Sequence, residues 1–189
     1  PVKGSDLPTV VVGMGPAGLF AALVLAKCGV KPIVLERGRC VEQRQQDVRR
    51  FWESGILDTE SNVQFGEGGA GAFSDGKLNT GTRDVRHRWI MERLVEYGAP
   101  EDILWDAKPH VGTDRLRIVL RNLRRELLAL GADLRFGHKL AGITVKDGCL
   151  TGLSVETAEG TYMLTCRHAL LALGHSARDT VEMLYGAGV

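Results

Sequence analysis

Aromatic residues are scarce, 6% of 189 positions with three Tyr and three Trp, which argues against a surface that stacks the bases of single-stranded nucleic acid. Charge of either sign is nearly cancelled: 24 Lys and Arg against 23 Asp and Glu leave a formal charge of +1. No overall electrostatic case therefore exists for nucleic acid or an anionic membrane. The four cysteines, Cys28, Cys40, Cys149 and Cys166, form no Cys-x-x-Cys pair and no metal-ligand spacing, which excludes a dithiol relay and a cysteine metal site. Reduced thiols and a cytoplasmic protein are expected. The uncharged run from Thr9 to Ala26 is interrupted by Gly13, Gly15, Pro16 and Gly18, so it reads as a strand turning into a buried helix rather than a membrane segment or signal peptide. No repeat or low-complexity tract is present.

What remains is an ordinary core-forming composition, 44% hydrophobic, suited to one domain that handles a small ligand. TVVVG at 9–13 has the β-branched character of a buried parallel strand. A helix is expected from Pro16 to Cys28 with Gly29 as its stop, followed by a second buried strand, KPIVLE, at 31–36. Together these make a right-handed βαβ unit. Further helices are expected at 41–54, from an Asp84 cap to Tyr97, and from a Thr113 cap to Gly131. That last helix carries Arg115, Arg117, Arg121, Arg124 and Arg125 opposite a leucine stripe, a solvated face rather than an RNA surface. ADLRF, KLAGITVK, CLTGLSVET and TYMLTC are short runs separated by Asp147-Gly148 and Glu159-Gly160, two hairpin signals, and predict an antiparallel meander over about 139–166. HALLALG at 168–174 is expected to return to the main sheet as a buried strand. The fold class is thus α/β, Rossmann-like, with a parallel sheet and an inserted antiparallel β-meander.

GMGPAG at 13–18 gives each glycine a task. Gly13 turns the chain out of the strand, Gly15 lets a pyrophosphate approach the backbone, and Gly18 allows close packing of helix on strand. Pro16 and Ala17 open a helix whose N-terminal amides and dipole favour the anion. Glu36, eighteen residues beyond Gly18 at the end of the second strand, suits a ribose 2'-hydroxyl and repels a 2'-phosphate. The ligand is expected to be a dinucleotide with an unphosphorylated adenosine ribose, FAD or NAD.

Gly-x-Gly-Pro-Ala-Gly followed by Glu36 and Arg37 resembles the first motif of the two-dinucleotide-binding-domain flavoproteins. More narrowly, FGEGGAGAFSDGKLNTGTRD (65–84), HVGTDRLRIVLRNLRREL (110–127) and ALLALGHSARDT (169–180) resemble the uncharacterised bacterial FAD-dependent dehydrogenases of the NAD(P)/FAD-dependent oxidoreductase group. The resemblance implies FAD as the cofactor, NAD(P)H as a further candidate electron donor, a small-molecule substrate, main chain at Leu140 of LAGI (140–143) near adenine, and Gly174 near the flavin. It also implies a longer chain than residues 1–189, which begin with Pro1 and end just after an expected helix. The small N-terminal domain and the C-terminal Gly-Asp segment of such proteins have no counterpart here. GHSARD lacks the aspartate-before-glycine of the flavin hydroxylases, which disfavours a monooxygenase.

The glycine-rich block carries Phe65, Phe73, Lys77 and Leu78 among its glycines, unlike a flexible linker. We expect Gly69, Ala70, Gly71 and Ser74 through Leu78 to pass near the flavin, with Lys77 offering positive charge; a solvated surface loop is the competing reading. His175, at the carboxyl end of a strand, is expected either to contact flavin or substrate or to be an exposed capping residue. The sequence names no catalytic acid or base, no metal ligand and no oligomeric state. A dinucleotide-binding module without turnover stays open as the alternative to an oxidoreductase.

Overall fold

A computed structural model describes residues 7–74, 76–78 and 84–189. The chain opens as the predicted βαβ unit: β1 (Thr9–Val12), α1 (Pro16–Lys27) and β2 (Ile33–Glu36). Next come α2 (Val41–Ser54), a 3-10 turn at Ala70–Phe73, α3 (Arg86–Glu96), a second short turn at Glu101–Leu104 and α4 (Thr113–Ala129). The remainder is β3 (Asp133–Phe136), β4 (Lys139–Lys146), β5 (Cys149–Thr157), β6 (Gly160–Thr165), β7 (His168–Leu171) and α5 (Arg178–Gly186).

Four strands form a parallel sheet in the order β3-β2-β1-β7, and β4-β5-β6 form a separate antiparallel sheet. The meander is therefore where the hairpin signals put it. Asp147 and Gly148 both take positive φ, 51° and 73°, the backbone that a two-residue hairpin turn requires. ADLRF is not part of that meander's sheet: as β3 it pairs in parallel with β2, Val34 opposite Leu134.

β1 alternates between two cores. Val11 packs in the cluster built by α1 and α4, with Leu23, Leu123 and Leu127, whereas Val10 and Val12 pack with Leu140, Leu153 and Val155 of the meander. Two layers thus cover the two faces of the sheet, which is why TVVVG reads as one unbroken apolar run.

Three local expectations change. HALLALG is not a buried strand: β7 stops at Leu171 and is the last strand of its sheet among the described residues, so Leu170 and Leu171 stay 42% and 39% exposed. An apolar sequence cannot report on which side a neighbouring strand is present. The cap of α4 is Gly112, at φ +77°, with Thr113 already in the helix. The cap of α3 is Val85 rather than Asp84, although the Asp84 carboxylate still accepts the Arg86 N–H at 2.8 Å. No helix among the described residues is long and apolar enough to cross a membrane.

Candidate cofactor site

At the carboxyl ends of β1, β2 and β7 the chain leaves a cleft of about 440 Å³, the place where open α/β sheets hold their ligands. The three motif glycines divide their work there. A Cβ on Gly13 would strike the carbonyl of Ala172, and one on Gly18 would strike the carbonyl of Gly13, so both serve packing of strand, turn and helix. Gly15 differs: its nearest neighbour would be the Gly69 Cα at 3.8 Å, an ordinary contact. With Pro16 and Ala17 it lines the cleft, and its carbonyl accepts the Leu19 N–H at 2.9 Å at the start of α1. This glycine-to-glycine approach is a cradle that a side chain would fill, and it fits a pyrophosphate at a helix N-terminus.

Glu36 is buried at the end of β2, 5% exposed. Its Oε2 accepts the Met14 N–H at 2.7 Å, and its Oε1 accepts Gly38 N–H at 2.9 Å and Gly66 N–H at 3.0 Å. A carboxylate offers about four acceptor positions, so a place remains for a ribose hydroxyl. The sequence signals Glu36 as a candidate ligand but not the role seen here, in which its carboxylate ties the first glycine turn to the second glycine-rich block.

That second block forms one wall. Gly68 N–H donates to the Met14 carbonyl at 2.8 Å, and Gly66, Gly69 and Ala70 line the cleft. Gly71, Ser74, Lys77 and Leu78 do not. Ser74 faces a separate recess with His110, Gly112 and Thr113; Lys77 pairs across an isolated β-bridge with His110; Leu78 packs on the helical core. Gly76, also expected near the flavin, does not line the cleft either, and Asp75 of the same stretch lies outside the described residues.

Leu140, Gly174 and His175 also line the cleft, together with Gln64, His138, Lys139, Ser176 and Thr180. Ser176 Oγ lies 2.9 Å from His175 Nδ1 and donates to Gln64 Oε1 at 3.1 Å. The signal for Ser176 and Thr180 was the short gap between Gly174 and α5, which brings the first turn of that helix over the cleft. For Gln64 and His138 the sequence offers no signal.

Arg37 closes the rim. Its guanidinium lies 4.1 Å from the Phe65 ring centroid, donates through Nε to Glu60 at 2.6 Å, and through both Nη atoms to Asp179 at 2.9 Å. Lys139 joins the same carboxylates, 2.8 Å from Asp179 and 3.4 Å from Glu60. Burial works against a charged Arg37, but the bonds to Glu60 and Asp179 outweigh it and hold the guanidinium above its ordinary pKa. In turn Arg37 holds the Asp179 carboxyl below the usual carboxylate range. The rim is charged yet internally neutralised, so it presents no spare cation to a 2'-phosphate. No cluster of potential metal ligands occurs among the described residues.

Comparison with known proteins agrees with this geometry. The model of the FAD binding domain family matches residues 6–69, the span from β1 through Gly69. An uncharacterized protein of Clostridium beijerinckii is 52% identical over 180 residues, covering 95% of this chain and 33% of its own length; the chain thus spans about a third of that relative. Among solved structures, THI4 of Thermovibrio ammonificans superposes with a TM-score of 0.61 at 18% identity, covering 97% of this chain and 63% of that one. A geranylgeranyl bacteriochlorophyll reductase-like protein of Thermoplasma acidophilum gives 0.54 at 16% identity, covering 96% and 42%. Identities this low speak for a shared fold. Over residues 6–69 the chain is thus similar to the FAD binding domain family, and over nearly its whole length it shares the fold of these solved structures.

Proposed function

We propose that the chain is the FAD-binding domain of a flavin oxidoreductase of the dehydrogenase type, acting on a small organic molecule. The observation that carries this reading is the convergence of Gly15, Glu36, Gly69, Leu140 and Gly174 on one cleft at the carboxyl end of the parallel sheet. Bound FAD would supply hydride chemistry between substrate and flavin, with NAD(P)H a candidate donor. The chain's own contribution is position and electrostatics. Gly15 and the first turn of α1 hold the pyrophosphate, Glu36 accepts from the ribose, and main chain around Leu140 meets the adenine. The Gly66–Ala70 wall and Gly174 bound the cleft, while the saturated Arg37 rim favours an unphosphorylated ribose over one bearing a 2'-phosphate. No side chain of the cleft is assigned as an acid or base.

The test is a near-ultraviolet and visible absorption spectrum of the protein purified without added cofactor, identification of what denaturation releases, and anaerobic addition of NADH or NADPH. Flavin bands, FAD on release and bleaching by a nicotinamide support the proposal. A colourless protein releasing NAD favours the rival reading, a dinucleotide-binding module without turnover.

A further inference from the structure

Arg44 is the largest side chain fully removed from solvent in the described structure, 0% exposed. It lies on α2, which does not line the cofactor cleft. Burying an unpaired guanidinium is costly, and burial presses its pKa down to about 10 against the attraction of Glu36 and Glu67. Among the described residues no carboxylate lies within salt-bridge reach of it; its donors go to main chain. Nε donates to Asn62 O at 2.7 Å, Nη1 to Glu67 O at 2.7 Å and more weakly to Gly66 O at 3.4 Å, and Nη2 to Val63 O at 2.9 Å. Its guanidinium also lies 4.6 Å from the Phe73 ring centroid. One planar fork therefore gathers carbonyls from 62 to 67 and an aromatic ring at the far end of the same block. The fit is close enough that a Cβ on Gly66 would strike the Arg44 side chain.

With the carbonyls drawn toward Arg44, the amides of Gly66 and Gly68 are left to bond Glu36 and Met14 on the first glycine turn. A loop rich in glycine has high conformational entropy when free, and only such pinning from both sides makes it a wall.

We propose that Arg44 is a positioning residue of the cofactor cleft: without touching the cleft, it sets the Gly66–Ala70 wall by holding the carbonyls of Asn62, Val63, Gly66 and Glu67. This deepens the proposed FAD site and rests on it for the ligand. Lys at this position keeps the charge but cannot span these carbonyls with one nitrogen.

The experiment compares wild type with Arg44→Lys by amide hydrogen exchange of residues 62–68 in FAD-free protein, by thermal midpoint, and by FAD titration followed through flavin fluorescence. Arg44→Lys is expected to keep a cooperative unfolding transition, to speed exchange at 62–68 selectively, and to weaken FAD by about tenfold or more, the scale of a lost charged hydrogen bond. Folded Arg44→Lys with wild-type exchange at 62–68, or with unchanged FAD affinity, overturns the proposal. Should the variant not fold, wild-type protein alone decides: slow exchange at 62–68 before FAD is added supports the clamp, and rates as fast as the exposed β5–β6 turn overturn it. Wild type that binds no FAD would instead refute the cofactor reading, while the exchange data still judge Arg44.

Discussion

The Gly66 N–H donates to the Glu36 carboxylate at 3.0 Å, a contact across thirty residues that joins the two glycine-rich segments of the chain. Glu36 is thus both a candidate ribose ligand and the acceptor that closes the apo site. Glu36→Ala is expected to lower FAD-free stability by about 1–3 kcal/mol, because buried amides of Met14, Gly38 and Gly66 lose their acceptor, and to weaken FAD by a similar amount. Denaturant midpoints without flavin and a flavin titration measure the two separately. A variant as stable as wild type would show that those amides find other acceptors.

Gly15 and Gly18 predict opposite phenotypes from the same substitution. Alanine at 18 drives its Cβ into the Gly13 carbonyl, a backbone atom that cannot move aside, so Gly18→Ala should unfold at lower temperature whether or not FAD is present. Alanine at 15 meets only Gly69 at 3.8 Å and points into the cleft. Gly15→Ala should fold with a midpoint close to wild type and lose about 1 kcal/mol or more of FAD affinity through overpacking. Equal losses in both variants would contradict this division of labour.

Much of the architecture was legible because local signals agreed with one another. β-branched runs, Pro16 at a helix start, Gly55 and Gly29 at helix ends, and Asp147-Gly148 each fix local backbone without needing a distant partner. The first motif was legible for the same reason, since Gly13, Gly15, Gly18 and Glu36 belong to a single βαβ unit. What the sequence could not reveal depends on contacts across the chain: β7 at an edge, Gly112 rather than Thr113 as a cap, and the split of the second glycine block, with Gly66, Gly69 and Ala70 on the cleft, Ser74 on the recess beside His110 and Leu78 on the helical core. Arg44 carries no sequence signal at all, because an arginine on a polar helix reads as solvated until its helix is placed against the loop.

Arg37 offers a test of ribose selectivity. Its donors go to Glu60 and Asp179, and Asp179, with 45% of its side chain exposed, can be replaced at a stability cost of about 1 kcal/mol or less. Asp179→Asn leaves Arg37 with an unpaired cationic edge at the rim. Binding of adenosine 2',5'-bisphosphate, measured by competition, should strengthen by about tenfold, a change of ~1.4 kcal/mol, and should become more sensitive to salt. No gain would place the 2' position away from Arg37.

The pH dependence of stability should carry the mark of Glu67. This residue is 0% exposed; its Oε2 accepts the Val41 N–H at 2.7 Å and pairs with Arg124 at 2.7 Å, while its Oε1 has no hydrogen-bond partner among the described residues. Burial pushes its carboxyl up from 4.5 to about 7. The folded protein therefore binds more protons than the unfolded chain between those values, and stability falls as pH rises through that window. Glu42 acts in the opposite sense: Arg124 holds it down to about 2, so its contribution is present above its ordinary value and is lost only as pH falls from there toward about 2. The two effects lie on either side of the ordinary carboxylate pKa and separate cleanly. Thermal midpoints of FAD-free protein from about pH 5 to about pH 8 should decline for wild type relative to Glu67→Gln, by no more than one proton's worth, ~1.4 kcal/mol per pH unit. A difference that stays constant with pH would mean that Arg124 keeps Glu67 ionised throughout, and the partnerless oxygen would then be a charge the fold has buried at full cost.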